Sequence, residues 1–348
     1  MQAEDILSMP VPWAEKQEGT GNVVVSSRVR LARNLERFTF VSRASAEERE
    51  GVVEAVRHAI EMEPLFRECS FCKVCEMDAV AKGLLVERRL MSPGFVKGCP
   101  ERVLVLDAGG IVSVMVNEED HLRIQALMAG SALGEAYRIA SALDRSLSRL
   151  GFAFDSEFGF LTSCPTNVGT GLRASVMLHL PALKMSRAMP EIIAQSGRLG
   201  LVVRGAYGEG TVSAGGLFQV SNQVTLGLSP EELVEKVEVV VSRLAEQEGN
   251  ARDALLNAQH ELEDRIWRAW GTLAYARRMA LPEAMECLSL LRMGQEAGIG
   301  SPFDQVPWGR LFLGIQPAHL QARGARPLPE EEAEAVRAGW LRETMGKI

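Results

Sequence analysis

A short stretch near the N-terminus has charged residues at a spacing suited to binding phosphate. Ser26-Ser27-Arg28-Val29-Arg30 places two arginines at alternate positions, so in an extended segment both side chains point to the same side. A guanidinium group binds phosphate oxygens in a bidentate manner and keeps its proton at neutral pH. The stretch therefore indicates a phosphate-binding strand, and a solvated charged loop is the alternative interpretation.

An acidic stretch follows directly after an apolar segment and reads Asn117-Glu118-Glu119-Asp120-His121-Leu122-Arg123. Carboxylates beside an arginine suit the transfer of phosphate to a guanidinium nitrogen, because that acceptor is a cation that must be oriented and must lose a proton. Acidic residues are also common in the first turn of a helix. Capping of a following helix is therefore the alternative for this stretch.

A third stretch combines a cysteine, small residues and an arginine in the order Ser163-Cys164-Pro165-Thr166-Asn167-Val168-Gly169-Thr170-Gly171-Leu172-Arg173. Glycines at 169 and 171 allow a close approach of the backbone, and a thiol near cationic groups tends to ionise. A cysteine nucleophile is the alternative, but no Cys–His pairing follows from the sequence, because the best-placed histidine belongs to the acidic stretch.

Three evenly spaced cysteines, Cys69, Cys72 and Cys75, raise the question of a metal site, for which Cys99 is the nearby candidate fourth ligand. The stretch 71–77 alternates like a strand, and no His-x-x-x-His pair accompanies it. We therefore interpret these residues as ordinary, partly buried thiols and expect no metal bound by protein side chains there.

Several elements are expected to position these stretches. Strands are predicted at 23–26, 103–106, 111–116, 174–180 and 201–204, with a hairpin turn at Gly109-Gly110. Helices are predicted from the Ser45 and Glu48 capping box toward 61, at 132–150, at 190–196, and from Ser229-Pro230 onward. The glycine-dense stretch 205–216 is expected to form a mobile flap.

The composition limits the class of protein. The chain has 348 residues, 47% of them apolar, and a net charge of -7, which argues against a general nucleic-acid binder with a basic surface. The first 21 residues lack the pattern of a signal peptide, and no apolar run of 18 residues occurs. We therefore expect a soluble cytoplasmic protein with reduced cysteines, no membrane association and no direct nucleic-acid binding.

Taken together, the motifs resemble those of the phosphagen (guanidino) kinase family over roughly residues 22–248. The acidic stretch is similar to the family's Asn-Glu-Glu-Asp-His-x-Arg motif, and 164–169 is similar to its Cys-Pro-Thr-Asn-x-Gly block. The 26–30 stretch and Arg204-Gly205 follow in the family's order. The resemblance implies an α+β fold, in which residues 1–250 form a catalytic domain with an antiparallel sheet flanked by helices. Residues 251–348 are expected to form a helical domain that dimerises.

The resemblance also implies roles for individual residues. The ATP phosphates would be bound by Arg28, Arg30, Arg123, Arg173 and Arg204. Glu119 would bind the acceptor guanidinium and act as general base, Glu209 would be the second substrate carboxylate, and Cys164 would orient or tune the substrate. Mg2+ would bridge the phosphates of ATP. Further nucleotide contacts are expected from Ser26, Ser27, Val29, Arg89, Ala174, Ser175, Val176, Met177, Gly205, Ala206, Tyr207 and Gly208, although position 89 is a histidine in the family pattern.

Within the family, the chain is most similar to the bacterial protein-arginine kinases. Small-molecule phosphagen kinases have a helical N-terminal domain before the first motif, which here begins at Ser26, so a more open pocket is expected. The Gly-Ala-Tyr-Gly-Glu flap and the helical C-terminal part agree with this assignment. The resemblance implies protein substrates, among them a heat-shock repressor, together with a zinc-binding activator protein and a Clp ATPase.

One departure concerns the phosphoarginine-sensing motif Arg-Asp-x-x-Arg-Ala of such kinases. The matching positions read Ala333-Glu334-Ala335-Val336-Arg337-Ala338, which puts that recognition in doubt. Two alternatives for the function stay open. One is a small-molecule guanidino kinase with a trimmed N-terminus, and the other is a catalytically silent regulatory relative.

Overall fold

The structure is a computed structural model of the chain and describes residues 1–14, 23–205, 214–257, 259–299, 307–324 and 328–346. The chain forms two compact units. The first comprises Met1–Trp13, Ser26–Val176 and Ser221–Glu238, and the second comprises Ala14–Val25, Met177–Val220 and Val239–Ile348. No helix within the described ranges is long and apolar enough to cross a membrane.

The strands are β1 (Val24–Arg33), β2 (Cys69–Lys73), β3 (Val103–Asp107), β4 (Val112–Val116), β5 (Leu122–Ala129), β6 (Phe154–Asp155), β7 (Gly159–Phe160), β8 (Leu172–His179), β9 (Leu201–Gly205) and β10 (Leu217–Asn222). The helices are α1 (Ala3–Ser8), α2 (Ala46–Glu61), α3 (Ala79–Glu87), α4 (Pro93–Val96), α5 (Leu133–Leu147), α6 (Pro181–Met185), α7 (Met189–Arg198), α8 (Pro230–Leu256), α9 (Gln259–Tyr275), α10 (Leu281–Glu296), α11 (Trp308–Gly314), α12 (Pro317–Gln321) and α13 (Glu330–Met345).

Eight of the strands form one sheet in the order β2-β3-β4-β5-β1-β8-β10-β9, while β6 and β7 form a separate hairpin. The pairs β2–β3, β3–β4, β4–β5 and β1–β5 are all antiparallel. In the β1–β5 register Ala32 lies opposite Arg123, so the arginine of the acidic stretch is placed beside the arginine-bearing strand. The expected antiparallel sheet with flanking helices and a helical C-terminal part is confirmed.

Local sequence signals account for the ends and faces of helices in the first unit. At the start of α2, Glu48 N–H donates to Ser45 Oγ at 3.2 Å and Ser45 N–H donates to Glu48 Oε2 at 2.8 Å, which is the predicted capping box. Helix α5 buries one apolar face, formed by Leu133, Ala136, Ala140, Leu143 and Leu147. That spacing of three and four residues is the one that predicted the helix.

Two elements differ in extent from the sequence-based expectations. Strand β1 runs on to Arg33, well past the predicted end at residue 26. The alternating stretch 71–77 is a strand only as far as Lys73, because residues Val74–Glu76 turn into a short 3-10 helix. Helix α8 continues without interruption past residue 250, where a domain boundary was predicted, and that boundary stays a prediction.

In the second unit, buried ionic contacts join helices to one another. Glu248 on α8 is fully buried and accepts hydrogen bonds from the N–H groups of Ala182 and Leu183, both at 3.0 Å, at the start of α6. Its other partner is Arg252 at 2.7 Å. The carboxylate thus satisfies free N–H groups of a helix start, and burial nevertheless raises its pKa above the ordinary value.

The stretch 333–338 lies on α13 in the second unit. Arg337 is buried, and its guanidinium donates to the carbonyl oxygens of Ile315 at 2.9 Å and Met279 at 2.8 Å. Glu334 forms an ion pair with Arg278 at 3.0 Å. The buried Arg337 thus joins α13 to the segments that follow α9 and α11, whereas Glu334 forms an ion pair near the surface.

Candidate functional site

Strands β1 and β8 present arginines on the same face of the sheet. Arg28 and Arg30 are half-buried while the intervening Val29 is fully buried, as the alternation of an extended strand requires. Arg28 Nε donates to Ser175 Oγ on β8 at 3.4 Å. Arg173, two residues before Ser175 on β8, therefore lies on that face as well.

The guanidinium groups lie close enough together to lower one another's pKa. Desolvation lowers the pKa of Arg28 well below its ordinary value, and the neighbouring charges of Arg30, Arg89, Arg173 and Arg123 lower it further. The pKa of Arg30 is lowered to about 9 by desolvation and by Arg123 and Arg173. A cluster of partly desolvated cations is stabilised by a bound polyanion. These groups thus form an arginine cluster whose charge suits a bound anion.

The acidic stretch forms a tight turn between β4 and β5. Asn117 begins it with a φ of 62°, a left-handed conformation that asparagine tolerates better than most residues. The Asn117 N–H donates to the His121 carbonyl at 3.0 Å, and the Glu118 N–H donates to the Asp120 carbonyl at 3.1 Å. The turn leads into strand β5, so these acidic residues do not cap a helix.

Two residues of the turn point inward and fix it. Asp120 Oδ1 accepts hydrogen bonds from Asn34 Nδ2 and from the Ser163 N–H, both at 2.6 Å. His121 Nδ1 accepts from the Leu35 N–H at 3.0 Å, and burial lowers the pKa of His121 so that the ring stays neutral. Through Asp120 the turn is tied to the residue that precedes Cys164.

The other two acidic residues engage Arg123. Glu118 Oε1 lies 2.8 Å from Arg123 Nη1 and also accepts from Ser92 Oγ at 2.7 Å, and its side chain is 9% exposed. Glu119 Oε2 lies 3.3 Å from Arg123 Nη2, and its side chain is 43% exposed. The Glu118 side chain is therefore nearly buried, whereas the Glu119 side chain remains accessible to solvent.

The loop that contains Cys164 depends on two glycines. Gly169 has a φ of 111°, and a Cβ there would lie 2.4 Å from the Thr225 carbonyl oxygen. Gly171 has a φ of 62°, and a Cβ there would lie 2.6 Å from the Ala32 carbonyl oxygen. Cys164 Sγ lies 3.0 Å from Thr166 Oγ1 in a short 3-10 turn. Close backbone packing thus presents the thiol beside β1.

A pocket of about 170 Å³ brings these parts together. Its lining comes from Arg30, Ala32, Glu119, Arg123, Cys164, Thr166, Asn167, Gly171 and Arg173. All of these residues belong to the first unit. Three cationic groups, one accessible carboxylate and one thiol therefore face one small volume.

Other residues expected at the site have different placements. Ser26, Val29, Ala174, Val176 and Met177 are buried in the sheet, and Ser27 Oγ donates to the Gly130 carbonyl at 2.7 Å. These side chains pack the strands that hold the arginines. In the second unit Arg204 is exposed on β9 and Gly205 is buried. Ala206, Tyr207, Gly208 and Glu209, with most of the predicted flap, lie outside the described residues.

Arg89 is the residue that departs from the family pattern. It has a φ of 65°, and its carbonyl accepts from Gln125 Nε2 at 2.8 Å. Its guanidinium carbon lies 5.1 Å from the centre of the Trp13 ring, and its charge contributes to the lowered pKa of Arg28. Arg89 therefore adds to the positive charge of the arginine cluster.

The evenly spaced cysteines take no part in the pocket. Burial raises the pKa of Cys69 to about 11 and that of Cys72 above its ordinary value, so both are protonated thiols at neutral pH. Within the described ranges, no group of three or more His, Cys, Asp or Glu side chains is arranged to hold a metal ion.

Sequence reasoning missed three supporting residues. These are Glu118, which holds Arg123, Ser92, which donates to Glu118, and Asn34, which donates to Asp120. Glu118 belongs to the acidic stretch, which was a usable signal. Ser92 and Asn34 carry no such signal, because their partners are distant in the chain.

Comparison with protein families gives two matches that together span most of the chain. The family described as ATP:guanido phosphotransferase, C-terminal catalytic domain, matches residues 51–251. The family described as protein-arginine kinase McsB C-terminal domain matches residues 259–348. The family resemblance predicted from the motifs is thereby confirmed.

Individual proteins with similar sequences support the same family assignment. A protein-arginine kinase of Moorella thermoacetica is 43% identical over 338 residues, which cover 96% of this chain and 97% of that protein. A protein-arginine kinase of Desulforamulus reducens is 41% identical over 357 residues, which cover 100% of this chain and 99% of that protein.

Solved structures of guanidino kinases share the fold. The substrate-free duplicated taurocyamine kinase from Schistosoma mansoni is 30% identical, with a TM-score of 0.58 over 66% of this chain and 33% of that one. This chain thus spans about a third of that duplicated protein. Lombricine kinase, 22% identical, has the same fold with a TM-score of 0.58 over 70% of this chain and 72% of that one. The chain belongs to the protein-arginine kinase family of ATP:guanido phosphotransferases.

Proposed function

We propose that the chain transfers the γ-phosphate of ATP to the guanidinium group of arginine side chains in proteins. The pocket carries this proposal, because Arg30, Arg123 and Arg173 there face Glu119 and Cys164. Such a site offers cations to a triphosphate and a carboxylate to a positively charged acceptor. The names of the most similar full-length relatives support a protein as the source of the acceptor arginine.

On the nucleotide side, we assign the phosphates of ATP to Arg28, Arg30, Arg123, Arg173 and Arg204. Desolvation lowers the pKa values of Arg28 and Arg30, and repulsion by neighbouring arginines lowers them further. A triphosphate offsets this repulsion, and donors fixed in advance stabilise the charge that develops on the transferring phosphoryl group. Glu118 would keep Arg123 in place during the reaction.

On the acceptor side, we assign the guanidinium to Glu119, with Glu209 as the second carboxylate. The acceptor nitrogen forms a bond to the γ-phosphorus while the bond between that phosphorus and the β,γ-bridging oxygen breaks. The electron pair of the broken bond leaves with ADP, and the proton of the nitrogen passes to Glu119. Cys164 would orient or tune the acceptor without a covalent intermediate.

We further propose that Mg2+ is held mainly by the phosphate oxygens of ATP. The carboxylates of Glu118 and Glu119 both contact Arg123, and the described residues contain no three-residue metal cluster, which favours a metal that arrives with the nucleotide. Bound in this way, the ion supplies charge neutralisation on the phosphates.

Several wider features remain part of the proposal. The family matches end and begin near residue 250, which supports a catalytic domain at 1–250 and a helical domain at 251–348. We propose that the helical domain dimerises and that the enzyme acts in the cytoplasm during the bacterial stress response. Its partners there would be a heat-shock repressor as substrate, a zinc-binding activator and a Clp ATPase that receives the marked proteins.

The direct test offers the enzyme ATP with either free arginine or an arginine-containing protein. Products are identified by mass spectrometry under neutral conditions that preserve the nitrogen–phosphorus bond. Phosphoarginine in the protein is the expected result. Phosphorylation of free arginine alone would indicate a small-molecule guanidino kinase, and no transfer to either acceptor would indicate a catalytically silent relative.

A further inference from the structure

Four large apolar side chains are exposed on two short segments of the first unit. Phe154 is 61% exposed and Phe158 48% exposed on the β6–β7 hairpin, while Val224 is 46% exposed and Leu226 49% exposed after β10. These four residues are called the apolar rim. A contiguous patch of exposed apolar side chains marks a site where another molecule binds.

The two segments of the apolar rim both pack against the loop that contains Cys164. A Cβ on Gly159 would lie 2.7 Å from the Gly169 carbonyl oxygen, and a Cβ on Gly169 would lie 3.1 Å from the Leu226 Cα. The hairpin, the loop and the 224–226 segment therefore lie side by side with their backbones in contact. Thr225 Oγ1 also donates to the Thr166 carbonyl at 2.9 Å, and Thr166 lines the pocket. The apolar rim thus adjoins the pocket.

Contacts beneath the β6–β7 hairpin hold the apolar rim in place. The guanidinium carbon of Arg33 lies 3.6 Å from the centre of the Phe160 ring, and Arg33 Nη1 donates to the Thr170 carbonyl at 3.0 Å. The Phe160 and Phe154 rings meet edge to face at 5.3 Å. At the hairpin tip Asp155 Oδ1 accepts from the Phe158 N–H at 2.9 Å. The exposed apolar groups are therefore held at the surface by fixed contacts below them.

We propose that the apolar rim binds the polypeptide segment that flanks the acceptor arginine, so that arginines with apolar neighbours in the sequence are preferred. This inference rests on the proposed function and names its substrate class. An extended chain advances about 3.3–3.6 Å per residue, so residues within about four positions of the arginine must cross the surface next to the pocket. Continuity of the rim with the pocket therefore favours the substrate segment as its occupant.

A charged residue beside the apolar rim further limits the chemical class of the preferred substrate segment. Glu157 is exposed at the hairpin tip between the two phenylalanines. An acidic group there repels acidic residues next to the acceptor and attracts basic ones. The preferred segment is thus apolar and neutral or basic around the arginine.

The test uses the full chain with ATP and two peptides of equal length, each with one arginine. One peptide has leucines on both sides of the arginine and the other has serines. The wild-type kcat/KM is expected to be about tenfold higher for the leucine peptide, a size typical of discrimination by apolar contact. Equal kcat/KM values for two phosphorylated peptides would overturn the inference and leave the proposed function intact. No transfer to either peptide would overturn both.

Variants test whether the apolar rim produces the preference for the leucine peptide. Phe158→Ser combined with Leu226→Ser is expected to lower kcat/KM for the leucine peptide about tenfold, through KM, and to leave the serine peptide unchanged. Leu199→Ser, an exposed apolar residue outside the rim at 48% exposure, is the matched control and should keep the preference. A double variant that keeps the preference would overturn the inference. A lower sedimentation mass of the double variant would also overturn the inference, because the apolar rim would then be an interface between copies of the chain.

Discussion

Glu118 forms a largely buried ion pair with Arg123 of the pocket lining, with Oε1 and Nη1 2.8 Å apart and side-chain exposures of 9% and 16%. The adjacent Glu119 contacts the same guanidinium at 3.3 Å but is 43% exposed. The two neighbouring carboxylates therefore differ in their surroundings. Glu118 holds the guanidinium to which we assign the phosphates of ATP, and Glu119 keeps the solvent access that the proposed acceptor contact requires.

Glu119→Gln should lower turnover while leaving ATP affinity nearly unchanged. The amide keeps the shape of the side chain but cannot take a proton, and a positioned general base contributes on the order of 10²–10⁴-fold to rate. Turnover is measured by phosphoarginine formation and ATP affinity by calorimetry. Glu36→Gln, at an exposed acidic position, is the control and should behave as wild type. Normal turnover of the Glu119 variant would remove its role as base.

Glu118→Gln should act through Arg123. Loss of the charged hydrogen bond frees the guanidinium, so we expect KM for ATP to rise on the order of tenfold, which corresponds to losing one charge-assisted contact. Ser92→Ala should have a smaller effect in the same direction, because Ser92 Oγ donates to the same oxygen. The two changes should be less than additive, since they act on one network. Full additivity would show that Glu118 and Ser92 act separately.

Arg30→Met should make the ligand-free protein more stable. The folded state lowers the pKa of Arg30 to about 9, well below its ordinary value, so its charge destabilises the folded state at neutral pH. That destabilisation is complete below pH 9 and is relieved as pH rises from 9 toward the ordinary pKa of arginine. We expect Tm at pH 7 to rise on the order of 2 °C and the stabilisation by an ATP analogue to disappear. Arg43→Met, at an exposed position, is the control. A lower Tm for Arg30→Met alone would contradict the account.

Gly169→Ala should destabilise the protein and lower activity together. The new Cβ would meet the Thr225 carbonyl at 2.4 Å with a φ of 111°, so the Cys164 loop must shift, at a cost on the order of 1–3 kcal/mol. Gly197→Ala is the matched control, because a Cβ there has no atom within 4 Å. Chemical denaturation and kcat/KM are the measurements. Equal stability of the two variants would mean that the loop tolerates displacement.

Local patterns predicted the helix starts and the motifs, but not the way in which the motifs meet. The capping box of Ser45 and Glu48 spans three residues, so the sequence alone contains it. Asp120 instead binds Asn34, 86 residues away, and that pairing depends on the sheet order. The strand β5 was missed because its arginine and glutamine interrupt the apolar pattern, although both face partners inside the protein.

The most direct test of the central claim is a crystal structure of the chain with Mg2+, a non-hydrolysable ATP analogue and an arginine peptide. We predict that the γ-phosphate contacts Arg30, Arg123 and Arg173, with the acceptor guanidinium against Glu119. A nucleotide bound away from these arginines, or an acceptor out of reach of Glu119, would contradict the account.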